Sequence, residues 1–99
     1  MKGDLERLWR EFEPVARQWP GGICKLLKAY LSRDGAELLI WALASEGGFV
    51  QHFHISVKLL RDGRLLVKTQ EHAHLVHTPG VRRCVRMVEE LVRERKVER

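Results

Sequence analysis

All five histidines of this 99-residue chain fall between positions 52 and 77, in His52-Phe53-His54 and in Glu71-His72-Ala73-His74-Leu75-Val76-His77. Imidazoles bind transition metals, carry protons near neutral pH and offer flat rings for stacking, so these residue types admit three chemistries. In a strand, a His-x-His pair puts both rings on one side about 7 Å apart, and a facing pair could complete a tetrahedral metal site. His52, His54, His72 and His74 are the ligand set that this reading would use.

A second group of chemical side chains lies near the end of the chain. Arg82, Arg83 and Arg86 precede Glu89, Glu90 and Glu94, the reverse of the order that a helix macrodipole favours. Cations beside an already positive helix N-terminus cost local stability, and together they would make a good phosphate site. The bland alternatives are an Arg86 to Glu90 ion pair and solvated surface arginines. Gly21-Gly22 and Gly47-Gly48 read as turns rather than phosphate loops, and no nucleophile with a matching base or paired carboxylates stands out. The chain therefore reads as a binding protein rather than an enzyme, and no cofactor is implied.

The elements that must position these groups follow from periodicity. Leu5, Leu8, Trp9, Phe12, Val15, Ala16 and Trp19 share one helical face behind Asp4 as N-cap, which predicts a helix over 5–19, kinked or restarted at Pro14, with Trp9 and Trp19 in the core. Residues 23–32 stay open. Ile23, Leu26, Leu27, Tyr30 and Leu31 fit a helix, whereas Arg33-Asp34-Gly35 repeats as Arg61-Asp62-Gly63, each before a Leu-Leu pair, and the second copy joins two strands. Residues 37–45, 49–60 and 65–77 read as strands. Thr78 as N-cap, Pro79 at the first turn, and the stripe Val81, Cys84, Val85, Val88, Leu91 and Val92 predict a helix over 79–96. The expected fold is α+β: one domain over 1–99, an antiparallel meander of three or four strands with the terminal helices on one face.

Strand parity then sorts the histidines. In 49–60 the odd positions Phe49, Phe53, Ile55, Val57 and Leu59 form a core face, and in 65–77 Leu65, Val67, Ala73 and Leu75 do the same. A two-residue Asp62-Gly63 turn would set Val57 beside Lys68 and mix the faces. A three-residue Arg61-Asp62-Gly63 loop with Gly63 left-handed keeps polar beside polar, with Ser56 opposite Lys68, His54 opposite Gln70 and His52 opposite His72. One polar face then holds His52, His54, His72, His74, Lys58, Lys68, Ser56 and Gln70. No carboxylate shares that parity, and Glu71 points away, which weakens the metal reading. His77 belongs to the turn into the last helix. A two-residue Gly47-Gly48 loop puts Trp41 opposite His54, and a three-residue Glu46-Gly47-Gly48 loop turns it inward toward Phe53, so its face stays open.

Composition bounds the partner. The net charge is +5, and residues 61–99 hold ten cations against six anions, which suggests an anionic partner. The absence of Asn, the three Gln and the twelve Arg among eighteen cations lean toward a heat-adapted source. In such a source Cys24 and Cys84 could form an intracellular disulfide, but Cys84 falls on the apolar stripe and reads first as core. No apolar run approaches membrane length and the start lacks a signal-peptide core, so a cytoplasmic protein without a membrane partner is expected.

This basic, Arg-rich chain without Asn, reading helix, meander through two Arg-Asp-Gly turns, then the Thr78-Pro79 helix, resembles the ThermoDBP-type single-stranded DNA-binding proteins of thermophilic archaea. The resemblance covers the element order of the whole chain, rests on no residue motif, and implies single-strand binding. The residues point the same way. Lys58, Lys68, Arg82, Arg83 and Arg86, with Arg61 and Arg64 beside them, are expected to meet phosphates, and His52, His54, His72 and Trp41 to meet bases. The partner expected is nucleic acid, DNA or RNA, single-stranded before duplex and without sequence specificity. The stretch 38–43, apolar on both faces, also predicts a homodimer. A homodimeric protein-interaction module without nucleic acid is the alternative, and a histidine-rich metal-binding protein the third.

Overall fold

The computed structural model describes residues 2–97, with side chains over 4–94. In chain order these form α1 (Lys2–Glu11), β1 (Val15–Trp19), β2 (Gly22–Leu31), β3 (Glu37–Glu46), β4 (Phe49–Leu59), β5 (Leu65–Thr69) and α2 (Pro79–Val97). The strands pair antiparallel in sequence order, β1-β2-β3-β4-β5. The α+β meander with a helix at each end is as expected, but it has five strands rather than three or four.

The fifth strand comes from residues read as helical, and the fourth from the stretch left open between helix and strand. Pro14 lacks an amide and restricts its predecessor, so α1 stops at Glu11 and the chain re-enters as the edge strand β1. The helix expected over 5–19 therefore ends eight residues early, at Glu11. Leu5 and Leu8 are buried and Phe12 packs against the core, whereas Trp9 is 44% exposed. Trp19 is a half-buried strand residue that packs on the core edge.

Residues 22–31 are strand, as the repeated turn suggested. The helical spacing there is a product of a β-bulge between Leu26 and Lys28. Cys24 and Leu26 point to the core before the bulge and Ala29 after it, so one interval of three interrupts the strand period of two. Both Arg-Asp-Gly turns are built alike. Gly35 and Gly63 have φ of 71° and 88°, and Asp34 and Asp62 accept the amides of Ala36 and Arg64 at 3.0 Å.

The core lies between one face of the sheet and the two helices. Leu38, Ile40, Ala42 and Ala44 of β3 are all buried there, beside Phe53, Ile55 and Val57 of β4 and under Val81, Cys84, Val88 and Val92 of α2. Thr78 caps α2 as expected, its Oγ1 accepting the Val81 amide at 3.2 Å. The same hydroxyl donates to the Glu46 carboxylate. No helix among the described residues is long and apolar enough to cross a membrane.

The strand expected over 65–77 ends at Thr69. Beyond it, a core-facing side chain replaces strand pairing: Gln51 Nε2 donates to the Val76 carbonyl and the Val76 amide donates to Gln51 Oε1, both at 2.9 Å. Replacing Gln51 by Ala should remove both bonds and lower stability by about 2 kcal/mol in denaturant unfolding. Hydrogen exchange at the Val76 amide should accelerate more than at β3 amides.

Candidate nucleic-acid interface

The second face of the sheet is covered by neither helix, and register places its side chains in rows. Lys25, Leu43 and His52 are consecutive partners across β2, β3 and β4. Lys28, Trp41 and His54 form the next row, continued where the Gln70 amide donates to the His54 carbonyl. Tyr30, Leu39, Ser56 and Lys68 form the third, and Glu37, Lys58 and Leu66 the fourth.

The two turns that set this register are resolved by glycine. Gly47 and Gly48 both have positive φ, 53° and 86°, so the loop has two residues and Trp41 lies opposite His54. Its ring centroid is 5.5 Å from that of His52, diagonal to it, with the planes tilted by 37°. At the other turn the Leu60 amide donates to the Arg64 carbonyl, leaving Arg61-Asp62-Gly63 as a three-residue loop and Ser56 opposite Lys68, as the parity argument required.

The expected site residues divide into three places. Lys58, Lys68, His52, His54 and Trp41 share the open face. Arg61 and Arg64 stand exposed at its end, Arg64 held by Asp62 at 2.6 Å. His72 and His74 leave the face, since β5 ends before them. They lie exposed in the following turn, where His72 Nδ1 accepts the His74 amide at 3.3 Å. His52 therefore has no His72 opposite, and the four histidines do not converge. Among the described residues no group of three or more His, Cys, Asp or Glu is placed to hold a metal. His77 is paired with Glu71 at 3.0 Å in the turn before α2.

Arg82, Arg83 and Arg86 project from α2, which packs on the other side of the sheet, so they and the histidine face cannot form one continuous patch. The N-terminus of α2 is itself occupied. Its first turn contains no acidic residue, and Glu46, reaching from the end of β3 to Thr78, supplies the carboxylate. The protein's own anion thus sits where a phosphate was expected.

Lys25, Lys28, Tyr30 and Glu37 also belong to the face and escaped the sequence reading: residues 23–32 stay open between helix and strand and the bulge displaces the parity of Lys28 and Tyr30, while the face of Glu37, like that of Trp41, depends on the length of the Gly47-Gly48 loop. The repeated Arg-Asp-Gly turn was the signal that could have found them. Glu37 corrects the expectation of a face without carboxylates: its Oε2 accepts the buried Ser56 hydroxyl at 2.7 Å. Lys28 Nζ lies 5.4 Å from the centre of the Tyr30 ring. Four lysines against one carboxylate leave the face basic, while Tyr30, Val50 and Leu66 are 44%, 52% and 42% exposed on it.

Cys24 and Cys84 are free, buried between β2 and α2, and donate to the carbonyls of Gly80 and Leu43 at 3.2 and 3.5 Å. Burial pushes both thiols above the ordinary range, and for Cys84 the adjacent Cys24 adds to the rise. Both thiols should resist iodoacetamide near neutral pH in the folded protein and react once it is unfolded in urea, as mass spectrometry would read. Since the unfolded thiols ionise first, their contribution to stability is complete below the ordinary thiol pKa and declines as pH rises above it. The chain matches no family model, no curated protein and no solved structure.

Proposed function

We propose that the open face of the sheet binds single-stranded nucleic acid without sequence specificity. The observation that carries this reading is the row Lys28, Trp41 and His54, with Lys25 and Lys68 on either side. Flat rings at strand spacing accept stacked bases of any type, and ammonium groups between them meet the backbone phosphates. Duplex fits less well, because a shallow sheet offers no ridge for the major groove and its rings have no unstacked base to meet. The likeness in composition to the archaeal single-strand binders is consistent with this reading.

A second reading, a homodimer formed through the same face, draws on Leu39, Leu43, Val50 and Leu66, which leave a partly apolar surface uncovered. Charge opposes it, since two copies would bring Lys25, Lys28, Lys58 and Lys68 of each face together around one Glu37 apiece.

Fluorescence anisotropy with labelled single- and double-stranded DNA and RNA tests the first reading. Affinity for the single strands should fall steeply with salt, and the Lys28→Gln, Lys68→Gln double variant should shallow the log-log slope by about 1.4. Trp41→Ala should weaken single-strand binding by about 1–3 kcal/mol. Affinity that is flat with salt, or unchanged by these variants, would overturn the proposal. Sedimentation of the wild type and Trp41→Ala separates the second reading, which requires a dimer that the substitution dissociates.

A further inference from the structure

We propose that the cleft between β1 and the first half of α2 is a separate anion site, and that it takes a terminal phosphate group. This cavity of about 230 Å³ lies on the helix-bearing side of the sheet and is lined by Arg17, Trp19, Arg83, Arg86 and Glu90. It shares none of these residues with the open sheet face, so it does not rest on the reading above.

The cleft holds two of its three cations in place. Arg83 lies over the Trp19 indole, its guanidinium carbon 4.9 Å from the ring centre. Stacking uses the flat face of a guanidinium and leaves its N–H edges free to donate in plane. The indole is seated by the turn that follows it: a Cβ on Gly21 would come within 2.5 Å of Trp19 Nε1, and one on Gly22 within 3.1 Å of Trp19 Cη2. Arg17 is fixed by Glu90 at 3.1 Å. The Arg86 side chain has no hydrogen bond or ion pair among the described residues. Three guanidiniums thus face one carboxylate, and the excess of two matches a phosphate monoester, which carries about −1.5 to −2 near neutral pH, better than a singly charged diester.

A terminal phosphate can belong to a free nucleotide or to the end of a strand, and one titration distinguishes them. The full chain, labelled with ¹⁵N, is titrated with inorganic phosphate, adenosine 5′-monophosphate, adenosine, and an oligonucleotide with or without a 5′-phosphate. The Trp19 indole N–H and the Arg83 and Arg86 Nε–H signals should move saturably with each phosphate monoester and not with adenosine. A stronger response to the phosphorylated oligonucleotide than to its 5′-hydroxyl twin assigns a strand end, and equal responses assign a free monoester. Arg83→Gln with Arg86→Gln should weaken adenosine 5′-monophosphate binding at least about tenfold. Arg33→Gln, in the turn between β2 and β3, should leave it unchanged. Both arginines are exposed, so the variants should keep the wild-type melting temperature, and Arg83→Lys, which retains charge without the planar fork, should lose an intermediate amount. Shifts that adenosine reproduces, no saturation at Trp19, or a double variant that binds as the wild type does would each overturn the assignment.

Discussion

Strand β3 is hydrogen-bonded to β2 on one edge and β4 on the other, and it is apolar on both faces; the rest of the molecule is arranged around those two faces. Its even positions, Leu38, Ile40, Ala42 and Ala44, are small or branched and fully enclosed by α1 and α2. Two helices of 10 and 19 residues supply apolar stripes enough for one side of a five-stranded sheet and no more. The odd positions, Leu39, Trp41 and Leu43, therefore remain half-buried by their strand neighbours alone. The open face is the one that neither α1 nor α2 covers.

Charge and packing on that face follow from the same constraint. Its neighbouring strands contribute lysines and imidazoles: the His52 ring lies 5.5 Å from that of Trp41, and Lys25 and Lys28 are the cross-strand partners of Leu43 and Trp41. This shields part of the apolar surface and gives it a positive rim. Glu37 accepts the Ser56 hydroxyl and keeps its charge, so a single carboxylate stands against four lysines on the face. On the opposite side the charges are arranged differently: Glu46 neutralises the start of α2, and two of the three cations that follow, Arg83 and Arg86, line a cleft beside β1.

Most of the architecture was legible in the sequence wherever local chemistry had a single solution. Gly63 at a left-handed turn and the parity of Phe53, Ile55, Val57, Leu65 and Val67 admitted one loop length, and the observed pairing of Ser56 with Lys68 is the one they required. Thr78-Pro79 marked the start of α2 for equally local reasons. The stretches that misled are those where a tertiary feature imitates another period. The bulge at β2 turned alternation into helical spacing, and Trp19 happened to continue the stripe of α1 beyond a proline. β5 was read too long because His72 and His74 continue its alternation, while Gln51 takes over the pairing of Val76 from a strand that is not there.

The sequence by itself determined which residues share a strand face, because side-chain parity along an extended chain is a property of covalent geometry. His52 with His54, and Lys58 with Ser56, were joined on that ground alone. It could not determine which elements lie on the same side of the sheet, since that depends on where α1 and α2 find apolar area to cover. Packing of α2 on the core face separated Arg82, Arg83 and Arg86 from the histidines and set two of them beside Trp19. It also left Lys25, Lys28 and Tyr30 uncovered, and so the surface that sequence parity assembled in part was completed only by the burial of the other side.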